Sequence, residues 1–152
     1  MQSMQERLES LGEEQLDPDR FSAIVREASD RELAELLGSE HRERVLDEIF
    51  FRMPERLNAD RTRGMHAVVH WRIGDRPGGG EDLYEVVIAD GSCSVSRGAS
   101  SEPGVTFKIR PESFLRLIAG ATSGMKLVLK RRLSVEGDMA LAMRLEGLFE
   151  RG

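Results

Sequence analysis

The hydrophobic period of the chain changes near Thr62, and this change limits the fold more than any other feature. Before it, apolar residues recur at helical spacing, as in the stripe Phe21, Ile24, Val25 and Ala28. After it, apolar and polar residues alternate, as expected of half-buried strands. Helices followed by strands that are polar on one face are typical of the α+β class.

Five segments are predicted as strands. They cover 67–73, 83–89, a stretch through Cys93 and Val95, 105–110 and 133–136. The Asp90-Gly91 pair is a strong signal for a two-residue hairpin turn between the second and third strands. We expect the early strands to form a meander, with helices gathered on the apolar face of one sheet.

Helices are predicted before and after this meander along the chain. Asp17-Pro18 and the capping box Ser29-x-x-Glu32 mark helix starts in the N-terminal part. Longer helical patterns cover 39–57, 111–120, 123–132 and a C-terminal segment from Asp138 whose inward residues are Leu141, Leu145, Leu148 and Phe149.

Composition excludes several classes of protein. A chain of 152 residues with one cysteine, Cys93, is expected to form one core without disulfides, which favours the cytoplasm. No apolar run is long enough for a membrane span. The net charge of −5 disfavours a nucleic-acid partner.

No motif in the sequence indicates catalysis, a metal or a cofactor. The pair His66-x-x-x-His70 would share a metal on a helix, but on a strand the two imidazoles are roughly 13 Å apart. We therefore expect His70 to lie exposed on the outer face of the sheet. Cys93 has no motif-linked base and is expected to be a small, buried apolar residue.

The predicted helix 123–132 is unusual because its apolar side chains cover more than one face. Such a helix needs two apolar partners, such as a sheet and a ligand or a membrane. Basic residues occupy the remaining positions: Lys126, Lys130, Arg131 and Arg132. They either dock the protein transiently on an anionic membrane or complement residues 1–60, which carry 8 basic and 16 acidic side chains.

The ordered series of strands and helices resembles the sterol carrier protein type-2 family. The segments that carry the resemblance are 67–73, the hairpin 84–91, 105–109, 113–120 and 133–138, and the match covers roughly 39–152. The resemblance implies a five-stranded, mainly antiparallel sheet with helices on one face and a hydrophobic tunnel between them. It also implies noncovalent binding or transfer of a fatty acid, fatty acyl-CoA, phospholipid or sterol-like molecule, without enzymatic activity.

The resemblance also implies which residues contact the ligand. These are Trp71, Phe107, Ile109, Phe114, Leu117, Ile118, Met125, Leu129, Met139 and Met143. The family often has a glycine just before the last strand, where this chain has Arg131-Arg132, so the turn departs from the family pattern here.

Residues 1–38 are an N-terminal helical addition to the family unit. They cap the tunnel, fill it or form a homodimer contact; the sequence leaves these alternatives open. A second interpretation is an accessory or catalytic small-molecule-binding protein of a biosynthetic pathway, which uses His70, Tyr84 or Glu136 in the same pocket.

Overall fold

The structure, a computed structural model, describes residues 3–13 and 17–145. Within these ranges the helices are α1 (Met4–Glu13), α2 (Pro18–Glu27), α3 (Asp30–Leu37), α4 (Arg42–Arg56), α5 (Ala59–Thr62), α6 (Pro111–Ile118), α7 (Gly124–Leu129) and α8 (Met139–Leu145). The strands are β1 (His66–Ile73), β2 (Asp82–Ala89), β3 (Ser92–Arg97), β4 (Val105–Ile109) and β5 (Leu133–Gly137). The predicted inward residues Leu148 and Phe149 lie outside the described residues.

The five strands form one sheet in the order β3-β2-β1-β4-β5, which confirms the α+β class. Three of the four pairings are antiparallel, and β1 pairs with β4 in parallel. The strands β1, β2 and β3 therefore form the expected meander, whereas β4 pairs with β1 and not with β3. The loop 98–104 returns across the outer face of the sheet, where Gly98 N donates to Leu83 O and Gly104 N donates to Val68 O, both over 2.8 Å.

The helix termini follow the predicted capping signals. Asp17 accepts a hydrogen bond from the backbone of Asp19, and Ser29 and Glu32 form the expected capping box. The helix predicted over 123–132 ends earlier, at Leu129. Arg131 adopts φ 59°, a left-handed conformation that terminates a helix, and Arg132 N donates to Leu127 O over 2.8 Å.

The core lies between the inner face of the sheet and the helices. The apolar stripe of α2 (Phe21, Ile24, Val25 and Ala28) is buried. The charged residue Arg42 is also buried. Its guanidinium donates to the Asp82 carboxylate over 2.7 Å and to the carbonyls of Leu37, Ile73, Gly74 and Asp75. These bonds fasten the start of α4 to the β1–β2 turn.

Candidate ligand-binding cavity

A cavity of about 490 Å³ lies between the inner face of the sheet and the helices. Its floor consists of alternating residues from four strands. They are Val69 and Trp71 of β1, Val86 and Ile88 of β2, Phe107 of β4, and Leu133 and Val135 of β5. The period of two that predicted the strands also places these side chains together, because alternate residues of a strand share one face.

Aromatic rings border the cavity beside this floor. The Trp71 and Phe107 rings, which both line the cavity, lie 4.6 Å apart between centroids. Behind them, Phe50 of α4 stacks on Tyr84 at 4.0 Å and on Phe114 at 5.1 Å. These three rings are fully buried, so they form a solid aromatic support on which Trp71 rests.

Helices from both halves of the chain close the remaining walls. Leu117 and Ile118 of α6 line the cavity, as does Phe21 of α2. Four residues of α7 and α8 line the cavity and are also exposed to solvent: Met125, Val128, Met139 and Met143. A side chain that does both lies at the opening, and we call these four residues the apolar rim.

One wall of the cavity is polar. It belongs to α4, from which Glu48, Arg52, Glu55 and Arg56 join the apolar Ile49 and Met53. Arg52 Nε lies 3.2 Å from Glu48 Oε2 one helical turn away, and both side chains are partly exposed. The cavity therefore offers a long apolar surface and one charged border.

Seven of the ten residues expected to contact a ligand line this cavity: Trp71, Phe107, Leu117, Ile118, Met125, Met139 and Met143. Three do not. Phe114 and Ile109 are buried in the core, where Phe114 stacks on Phe50. Leu129 is largely exposed to solvent and does not line the cavity.

The sequence left open whether residues 1–38 cap the tunnel, and no residue of α2 or α4 was predicted to line the cavity. The apolar stripe that contains Phe21 and the inward side of α4 with Ile49 and Met53 are both visible in the sequence. Neither pattern says what the helix packs against. The extension forms one wall of the cavity through Phe21 and Ser22, and the space of about 490 Å³ remains beside it.

The four predicted membrane-docking residues separate into two groups. Arg132 Nη1 lies 3.1 Å from Asp30 Oδ2 of α3, so this residue complements the acidic N-terminal part. Lys126, Lys130 and Arg131 are exposed at α7 and the turn that follows it.

His70 is not exposed, and this prediction was wrong. It is buried on the outer face beside Glu85, whose carboxylate accepts a 2.9 Å hydrogen bond from His70 Nε2. The loop 98–104 covers both residues, and Glu85 also accepts bonds from Ser100 and Ser101. The hydroxyl of Ser100 contributes most to lowering the pKa of Glu85 to about 2. These residues hold the loop on the sheet.

The residues of the catalytic alternative do not line the cavity. His70 lies on the opposite face of the sheet. Tyr84 is fully buried in its stack on Phe50, and its hydroxyl donates to Asp47 over 2.7 Å; burial raises the pKa of this hydroxyl. Glu136 is exposed and lies 3.7 Å from Lys108 Nζ. The geometry therefore gives none of the three access to a bound ligand.

Cys93, candidate metal ligands and candidate membrane helices give three further observations. Cys93 is half-buried, and burial raises the pKa of its thiol to about 11, which keeps it protonated. Among residues 3–13 and 17–145, no group of three or more metal-ligating side chains comes together. In the same part of the chain no helix is long and apolar enough to cross a membrane.

This fold and cavity define a class of small α+β proteins with an apolar binding space under one sheet. The sequence matches the SCP-2 sterol transfer family over residues 46–150, and the chain belongs to this family. A stretch of 78 residues is 28% identical to human sterol carrier protein 2; it spans 51% of this chain and 14% of the human protein.

Two solved structures share the fold at low sequence identity. A palmitated SCP2L2 from Aedes aegypti is 19% identical with a TM-score of 0.53, over 67% of this chain and 87% of that one. The inverting sec-alkylsulfatase Pisa1 from Pseudomonas sp. is 13% identical with a TM-score of 0.61. That match covers 97% of this chain, and therefore reaches the N-terminal helices, but only 27% of the sulfatase.

Proposed function

We propose that the protein binds one apolar, chain-bearing or sterol-like molecule noncovalently in the cavity and sequesters or carries it. Fatty acids, fatty acyl-CoAs, phospholipids and sterols are the candidate ligands. The observation that supports this most strongly is the cavity of about 490 Å³ with an apolar floor and an apolar rim. This volume lies within the range typical of small-molecule sites, about 300–1,000 Å³.

The energy of such binding comes from removing apolar surface from water. A ligand that buries roughly 400–500 Å² gains about 10–12 kcal/mol at 25 cal/mol per Å². Lost freedom of motion offsets at least about 4 kcal/mol of this gain. Micromolar affinity is therefore within reach without any dedicated polar contact.

The charged border on α4 favours a ligand with one polar end. A purely apolar ligand would leave Glu48 and Arg52 to pair with each other, as they do here. A fatty acid or an acyl ester places its chain on the strand residues and its head at this border. The Aedes aegypti protein, described as palmitated, supports a fatty acyl chain as the first ligand to test.

Entry and release pass the apolar rim, because its four residues lie at the opening. They belong to α7 and α8, which are only six and seven residues long in the described part of the chain. Short helices with few buried side chains open at low energetic cost compared with α4 or the sheet.

Native mass spectrometry of the purified protein tests this function, followed by organic extraction of whatever co-purifies. We expect an apolar adduct, one per chain, or uptake of one fatty acid after removal of endogenous lipid. A protein that stays empty after incubation with fatty acid, acyl-CoA, phospholipid and sterol would contradict the proposal.

A further inference from the structure

Large apolar side chains are exposed at the opening of the cavity. Met125 is 61% exposed, Met139 53% and Met143 67%, and all three line the cavity. Leu129 does not line the cavity; it follows Met125 by one helical turn and is 78% exposed. Large exposed apolar side chains gathered around one opening mark a surface that meets a partner.

Side chains of α7 and its C-cap residue Lys130 form a buried contact, an apolar ridge and a basic row. Leu127 is buried towards the core. Met125 and Leu129 are four residues apart, so they form one outward apolar ridge. Lys126 and Lys130 are also four residues apart and form a parallel basic row next to this ridge.

The local charge is positive although the chain as a whole is acidic. Arg131 continues the basic row in the turn after α7. Within residues 3–13 and 17–145, no carboxylate forms an ion pair with Lys126, Lys130 or Arg131, whereas Arg116 and Arg132 both pair with Asp30. Asp30 of the acidic N-terminal part thus pairs with two arginines of this region, while the side chains of the basic row are exposed to solvent.

We propose that this face, made of the apolar rim, Leu129 and the basic row, docks on an anionic membrane surface. The ridge of Met125 and Leu129 enters the headgroup region, and the lysines contact lipid phosphates. Apolar side chains flanked by lysine and arginine are typical of segments that lie in a membrane interface. An anionic bilayer matches both features at once, because its phosphates face the basic row and its interface accepts the apolar ridge.

Docking of this face has a direct consequence for the cavity. The same rim residues surround the opening, so the ligand would pass between cavity and bilayer without crossing water. This consequence rests on the proposed function, but the docking itself is measurable on protein without ligand.

Vesicle cosedimentation tests the proposal with the full chain. Vesicles of phosphatidylcholine alone are compared with an equal mixture of phosphatidylcholine and phosphatidylglycerol, at low and high salt. We expect binding to the mixed vesicles that weakens at high salt, and little binding to neutral vesicles. The same binding to both compositions, or to neither, would overturn the proposal.

Charge reversal tests whether vesicle binding depends on the basic row itself or only on the net charge of the protein. The double variant Lys126→Glu with Lys130→Glu should bind the mixed vesicles at least roughly 25-fold more weakly, from about a factor of five per lysine. A matched control, Arg31→Glu with Arg63→Glu, changes the net charge equally at exposed sites on α3 and before β1. An equal loss in both double variants would overturn the proposal.

Leu129→Gln tests the apolar ridge independently of ligand binding, because Leu129 does not line the cavity. We expect roughly tenfold weaker vesicle binding with unchanged uptake of fatty acid in solution. The control is Phe51→Gln, which removes an exposed apolar side chain from α4, outside the cavity lining.

The outcomes distinguish this proposal from the proposed function. Loss of fatty acid uptake with intact vesicle binding would contradict only the cavity function. A wild-type dimer in sedimentation that Leu129→Gln makes monomeric would assign this face to a second copy of the chain and overturn membrane docking.

Discussion

The guanidinium of Arg116 in α6 donates a hydrogen bond to the carboxylate of Asp30 at the start of α3 over 2.7 Å. The same side chain donates to the carbonyls of Val25 and Ala28 at the end of α2, over 3.2 and 2.8 Å. One residue of the family unit thus holds two helices of the N-terminal addition. Since α2 carries Phe21 into the cavity wall, this contact also positions part of the binding space.

Replacing Arg116 with methionine should lower the free energy of unfolding by about 2 kcal/mol. The variant keeps the aliphatic packing but leaves the α2 carbonyls without their donor. The ion pair itself contributes a smaller share, because Asp30 is half exposed. Urea denaturation measures the change. The control Arg31→Met breaks the exposed pair with Glu35 and should change stability by less than about 0.5 kcal/mol.

Replacing Glu85 with glutamine should destabilise the protein by about 2 kcal/mol at neutral pH. The carboxylate accepts bonds from His70, Ser100 and Ser101, and an amide cannot accept all of them. Urea denaturation at neutral pH measures this loss. The loop 98–104 should also become more accessible to proteases.

The stability difference between the wild-type protein and Glu85→Gln should depend on pH. The pKa of Glu85 falls from 4.5 to about 2 on folding, so its stabilisation is present above the higher value and is lost as the pH falls towards the lower one. The stability difference between wild type and Glu85→Gln should therefore shrink between pH 4.5 and 2. A difference that stays constant over this range would show that the carboxylate charge is not what stabilises the loop.

Filling the cavity from α8 should block the ligand without unfolding the protein. Ala142 lines the cavity, and phenylalanine at this position occupies space that the ligand needs. We expect at least a tenfold loss of affinity for a fatty acid, measured by titration calorimetry, with little change in melting temperature. Ala140→Phe is the matched control on the same helix, because Ala140 is exposed and does not line the cavity.

The thiol of Cys93 should react slowly in the folded protein. Its pKa is raised from 9.0 to about 11, so about a hundredfold less thiolate is present near pH 8. A thiol reagent should thus modify the native chain roughly a hundred times more slowly than the chain in urea. Equal rates would mean that the β3 edge opens readily.

Alternation along the chain was enough to predict most of the sheet. Trp71 and Phe107 were placed on the inner face because apolar residues alternate around them. The same pattern does not encode which strands are neighbours. The pairing of β4 with β1 depends on the path of the loop 98–104, and that path also buries His70. A polar residue on an outer face is expected to be exposed unless a connection crosses it.

For the candidate site too, local patterns predict which residues are apolar but not which of them line the cavity. Helical spacing identified Met125 and Leu129 as surplus apolar residues of one helix. It did not separate the residue that lines the cavity from the one that points to solvent, because both lie on the same ridge. The packing of α2 and α4 against the sheet required long-range contacts that no local pattern contains.

Quenching of tryptophan fluorescence by a brominated fatty acid tests the central claim most directly. Trp71 is the single tryptophan of the chain and lines the cavity. If the cavity binds an acyl chain, the emission of Trp71 should fall in a saturable way at micromolar ligand with one molecule bound per chain. Ala142→Phe should reduce the response and Ala140→Phe should not. Unchanged Trp71 emission in the folded wild-type protein, up to the solubility limit of the fatty acid, would contradict the account.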